Sequence, residues 1–140
     1  MSIRITDNTE EVLDALKEAI EAGLEACGIQ AEGYAVLNLE SNPRRVDTGL
    51  LRNSITHAVA GHGAAKGSYA SDDGSKSGSY SGTAPGEEGK SVIIGTNVSY
   101  AGYVHDGTSK MAPNRFLANA GNKKDEYNEI MKSALEEANV

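Results

Sequence analysis

Residues 90–120 read KSVIIGTNVSYAGYVHDGTSKMAPNRFLANA, and a change of rhythm inside this stretch sets the fold class. Ser91 to Gly95 is a short β-branched run, the signature of a strand. From Tyr100 to His105 the spacing turns helical for one turn, with Tyr100, Tyr103 and Val104 on the side expected to be buried. Asp106-Gly107 is a turn signal. Pro113 suits the first turn of a following helix, where its missing N–H costs nothing. Beyond it, Phe116, Leu117, Ala120, Tyr127, Ile130, Met131, Ala134 and Leu135 continue at mostly helical steps, with Gly121 a candidate break.

The segments upstream supply the partners of this strand and helix. Thr9 to about Leu39 is helical: Val12, Leu16, Ala19, Ile20, Leu24, Cys27, Ala31 and Tyr34 recur at steps of three and four. Asp7 and Glu10 have the spacing of a capping box. Gly23, Gly28 and Gly33 each cost about 1 kcal/mol inside a helix, which implies close packing, a bend, or a break near Gly28. Ser41-Asn42-Pro43 ends the helix, because the residue before proline resists helical geometry. In RRVDTGLLRNSITHAVAG, Asp47 or Thr48 can cap a short helical turn over Gly49 to Asn53, with Leu50 and Leu51 inward. Ile55 to Ala60 then reads as a strand with Ile55, His57 and Val59 on one face, pairing with Ser91 to Gly95 as a long hairpin. The expected architecture is α+β, two long helices packed on a small antiparallel β-sheet with a long Gly/Ser-rich hairpin loop.

That loop, Gly61 to Gly89, holds eight of the 16 glycines and six serines in 29 residues, and no Val, Ile, Leu, Met or Phe. It cannot bury enough apolar surface to offset its ordering entropy, so it is read as a flexible arm within one domain spanning 1–140. Tyr69 and Tyr80, its only large side chains, are the expected anchors when the arm orders on a neighbouring subunit.

Composition narrows the function classes. The net charge of −7 is opposite to that of a free-standing nucleic-acid binder; it suits a soluble protein, or a surface past which DNA slides. The single cysteine, Cys27, allows no intrachain disulfide. The start, MSIRITDNTEEV, lacks the apolar core of a signal peptide, and no apolar run nears the ~20 residues needed to span a bilayer. The expectation is therefore a cytoplasmic origin with no membrane role. His105, Asp106 and Ser109 offer the residue types of a hydrolase, but adjacent side chains diverge and no nucleophile elbow is present. His57, His62 and His105 match no metal-binding spacing, and GSKSGSYSG lacks the order of a phosphate loop. No catalytic, metal or cofactor site is expected. Arg44, Arg45 and Arg52 form a basic patch, either solvated or in contact with a partner's carboxylates or DNA phosphate.

Three segments taken together resemble the tail-component family of long-tailed bacteriophages and prophages: neck, head–tail joining or tail-completion proteins. Val46, Asp47, Thr48, Gly49, Leu50, Ser54 and Ile55 carry the first motif. Gly95, Thr96, Tyr100, Tyr103, Val104, Gly107 and Thr108 carry the second. Pro113, Arg115, Phe116, Leu117 and Ala120 carry the third. The chain departs from the family pattern at His105-Asp106 and in the Gly/Ser content of its loop. The resemblance implies a structural virion protein made in the host bacterial cytoplasm. It would form a hexameric ring in the neck, or at the head-proximal end of the tail. That ring would join the head connector to the tail tube, and DNA would pass its channel without sequence-specific binding. Tyr69, Tyr80, Arg44, Arg45, Arg52, His105 and Asp106 are then the candidate subunit or partner contacts. A small regulatory or nucleic-acid-binding domain, using the arginine patch and the loop lysines, is the alternative.

Overall fold

The computed structural model describes residues 1–41 and 43–138. In chain order its elements are α1 (Thr9–Glu40), α2 (Leu50–Ser54), β1 (Thr56–Val59), β2 (Ser68–Ala70), β3 (Ser77–Ser79), β4 (Val92–Gly95), α3 (Ala101–Asp106), α4 (Phe116–Gly121) and α5 (Lys124–Glu137). The fold is α+β, with two antiparallel two-stranded sheets, β1–β4 and β2–β3. None of the described helices is long and apolar enough to cross a membrane.

The 32 residues of α1 run without a break at Gly28. Its buried line is Ala19, Gly23, Cys27, Ala31, Ala35 and Leu39, mostly small residues at steps of four that let other elements come close. A Cβ on Gly23 would lie 2.7 Å from Met131 Sδ of α5, and one on Gly28 2.6 Å from His57 Cδ2 of β1. Gly33 has nothing within 4 Å of its missing Cβ, so close packing explains two of the three glycines only. Val12 is exposed rather than inward, because the first turns of α1 extend past the body. The capping box is not made either: Asp7 Oδ1 accepts the Thr9 N–H at 2.9 Å, and no side chain caps the helix.

Gly49 enters α2 at φ 84°, a left-handed conformation that favours glycine. It takes the cap position expected of Asp47 or Thr48, and Thr48 Oγ1 only reaches the Leu50 N–H at 3.3 Å. β1 pairs with β4 in the register His57↔Ile94. All four β1 residues are buried, so the expected one-faced strand is covered on both sides. Packing of α1 against His57 covers one side, and the segment after β1 reaches Thr56, whose Oγ1 accepts the Lys66 N–H at 2.9 Å. The core joins Ala35 and Leu39 of α1 to Leu51, Ile55, Val98, Val104, Phe116 and Ala120. Phe116 is 0% exposed.

Three further expectations change. Val104 is buried, but Tyr100 and Tyr103 are 40% and 65% exposed; α3 is short and turns only one side to the core. Pro113 precedes α4 instead of opening it, since the helix starts at Phe116. The connection is held extended there by Asn114, whose N–H donates to Val104 O and whose Nδ2 donates to Asn38 O and Pro43 O. Last, residues 61–89 contain the β2–β3 hairpin, registered Tyr69↔Gly78. Polar bonding does what apolar burial cannot: the Ser75 N–H and the Ser71 and Ser75 hydroxyls donate to Asp73, holding its carboxyl at about 2. The break near Gly121 is present, between α4 and α5.

Candidate interaction surface

The motif segments close on one another. Ser54 and Thr96 share a hydroxyl–hydroxyl bond of 2.6 Å, while Ile55, Val104 and Phe116 meet in the core. Above this core the turn Asp47-Thr48-Gly49 and Leu50 form a concavity of about 290 Å³ with Arg44, Arg45, Arg52, Tyr100 and Met111. The structure thus gathers the three arginines around one hollow, and adds a tyrosine from the second motif.

These arginines are largely committed within the chain. Arg45 Nη2 donates to Ala112 O at 2.9 Å. Arg52 pairs with Asp72 at 2.5 Å and with Glu40 at 3.7 Å. Asp72 belongs to the turn between β2 and β3. It also accepts from Asn53 Nδ2 at 3.0 Å, and its N–H donates to Thr48 O. Hydrogen bonds from Asn53 and Arg52 hold its carboxyl below the usual range. A Cβ on Gly49 would strike this carboxylate at 2.5 Å. The hairpin tip therefore docks on the first motif, a role for Asp72 that sequence spacing did not reveal.

Tyr69 and Tyr80 also meet the chain's own body. Their rings pack 5.4 Å apart; Tyr69 donates to Asn97 Oδ1 and Tyr80 to Ser54 O. His105 and Asp106 do bond, Nδ1 to Oδ1 at 2.8 Å, contrary to the expectation that neighbours diverge. The other ring nitrogen, Nε2, accepts the Ala118 N–H at 3.2 Å, and the ring lies edge-on to Phe116. The Nδ1 bond stays within α3, while the Nε2 bond ties α3 to α4. Gly107, at φ 80°, lies so close to Pro113 N that a Cβ would approach it to 2.8 Å. Thr108 forms a bridge with Met111. Leu117 packs partly buried on the core.

His57 and His62 line one hollow with Glu21 and Glu25, and His105 lies apart from them. His62 lies 3.7 Å from Glu21. His57, only 3% exposed, sits between Glu25 Oε1 at 2.7 Å and Glu32 Oε2 at 2.8 Å. Burial pushes its pKa down, but the hydrogen bonds to Glu25 and Glu32 outweigh it and raise the value. Among the described residues no cluster of His, Cys, Asp or Glu is arranged to hold a metal ion. Comparison with protein-family models, with curated proteins and with solved structures found no match.

Proposed function

We propose that this chain is a structural virion protein of a tailed bacteriophage. In this reading it forms a ring at the neck or head-proximal end of the tail, joining the head connector to the tail tube. One observation carries the reading: the three motifs of the resemblance interlock in one body, whose surface presents Tyr100 and three arginines around a hollow. Exposed apolar side chains agree with burial in an assembly. Ile29 and Leu37 stand out from α1 and Tyr103 from α3, apolar area that a subunit contact would cover. The ring encloses the DNA channel, and the net charge of −7 suits passage without adhesion. A nucleic-acid-binding reading loses most of its basic patch, because Arg45 and Arg52 are taken up by the chain's own carbonyls and carboxylates.

The test is electron microscopy of particles from a phage or prophage in which this gene is deleted. Filled heads and finished tails that fail to join are expected, with joining restored by the protein supplied in trans. Normal joined particles without the protein would overturn the reading.

A further inference from the structure

The β1–β4 sheet has two outer edges, and among the described residues only the β1 edge has bonded carbonyls. The Ala60 N–H donates to Ser91 O at 2.8 Å. Bonded pairs alternate in an antiparallel ladder, so Ile93 and Gly95 face β1 while Val92 and Ile94 turn their N–H and C=O groups outward. On β1 the matching outward carbonyls are occupied: the Ala65 N–H donates to His57 O at 2.9 Å and the His62 N–H to Val59 O at 2.9 Å. Outside the ladder, no described residue hydrogen-bonds to the backbone of Val92 or Ile94. Beside this open edge lies a hollow of about 550 Å³, whose apolar part is Ile94, Ala101, Phe116 and Leu117 and whose rim carries Thr96, His105 and Asp106. An unpaired edge next to a partly apolar hollow is a template for an added strand.

The chain also carries an unattached strand-like segment. Residues 2–6 read SIRIT, apolar and polar in alternation, with β-branched Ile3 and Ile5 84% and 93% exposed. Among the described residues, the hydrogen bonds of residues 1–8 are those of Asp7 and Asn8, both into the start of α1. Ile5 cannot reach Ile94 of its own copy, since Ile94 pairs with His57 at the level of Gly28. Thr9 lies nineteen residues along α1 from Gly28, which packs on β1, a rise of about 28 Å. The residues between Ile5 and Thr9 span at most about 14 Å.

We propose that residues 2–6 of one copy add as a third strand to the open β4 edge of a second copy, with Ile3 and Ile5 facing the hollow beside Ile94. The occupant is a second copy because Ile5 falls short of Ile94 in its own copy, and each copy carries both an arm and an open edge. Arm and edge are separate surfaces, so the contact is head-to-tail and closes into a ring when the rotation permits. This names the contact of the ring proposed above, and so rests on that reading.

The experiment compares the full chain with a variant lacking residues 2–6 by sedimentation over a range of concentrations. Hydrogen exchange is followed at the Val92 and Ile94 amides. The full chain is expected to self-associate with those amides slowed. The shortened chain should associate roughly tenfold or more weakly, having lost two isoleucine contacts, with its melting temperature unchanged. I3D should act like the deletion. If both forms are monomeric, a synthetic peptide of residues 1–8 added to the shortened chain should slow the same two amides. Equal association with and without the arm overturns the strand contact and leaves the ring reading standing. A monomer whose amides ignore the peptide also overturns it, and the ring is then judged on particles alone.

Discussion

Two glycines in α1 provide a matched pair of perturbations. Both stand in the interior of one helix, so replacement by Ala removes the same backbone cost, about 1 kcal/mol. At Gly33 nothing lies within 4 Å of the new methyl, and the gain is realised in full. For a chain of 140 residues, an unfolding entropy of about 2.1 cal/mol/K per residue makes 1 kcal/mol worth about 3 °C. Gly33→Ala should therefore melt about 3 °C higher. At Gly28 the methyl would meet His57 Cδ2, Cγ and Cβ at 2.6, 2.8 and 3.0 Å. The ring cannot swing aside cheaply, because Glu25 and Glu32 hold its two nitrogens at 2.7 and 2.8 Å. Overpacking of this kind costs about 1–3 kcal/mol, and freeing the ring sacrifices charge-assisted bonds of about 1.5–3 kcal/mol each. Set against the propensity gain, Gly28→Ala should lose about 1–3 kcal/mol net and melt about 3–10 °C lower. Thermal unfolding by circular dichroism on the two variants decides it. Should Gly28→Ala melt at or above Gly33→Ala, helix and strand are not in the contact described, and the reasoning fails.

Other outcomes follow from the same packing. Phe116→Ala empties a fully buried site and should cost about 3–5 kcal/mol in denaturant unfolding; an unchanged midpoint would reject its place in the core. Gly107 and Gly74 share a left-handed φ, yet only Gly107 has backbone within 3 Å of its missing Cβ. Gly107→Val should therefore destabilise more than Gly74→Val, and equal effects would refute the Gly107–Pro113 contact. His57 has a folded pKa above its ordinary 6.5, so its contribution is complete below that value and is lost as pH rises through the raised one. The melting temperature should fall across that window, and His57→Gln should flatten the dependence; an equally steep curve in the variant would contradict the clamp. Arg52→Ala removes the pairing that seats Asp72 on the first motif; faster proteolysis of residues 61–89 is expected, against no change if the hairpin is held elsewhere.

The sequence declared α1, the β1–β4 hairpin and the core around Phe116 because each rests on local periodicity. It misplaced Tyr100 and Tyr103, since helical spacing names a face but not which side of a one-turn helix meets the core. The β2–β3 hairpin was hidden for a different reason. Counting apolar residues in 61–89 measures only hydrophobic burial, whereas this segment is tied by Asp72, Lys66, Tyr69 and Tyr80 to backbone and side-chain partners distant in sequence. His57 gave no signal at all, because Glu25 and Glu32 become its neighbours only when β1 crosses α1 at Gly28. Of the candidate contacts, the three arginines were legible as a basic patch, and their convergence with Tyr100 on one hollow emerged only from the fold.

The central claim is that this chain is a ring-forming part of the neck or upper tail of a phage particle. Quantitative mass spectrometry of purified particles, combined with antibody labelling under the electron microscope, measures this directly. The account predicts the protein in finished virions at the copy number of a hexameric ring, with label confined to the head–tail junction. Its absence from washed, infectious particles, or label spread along the whole tail, would contradict the account.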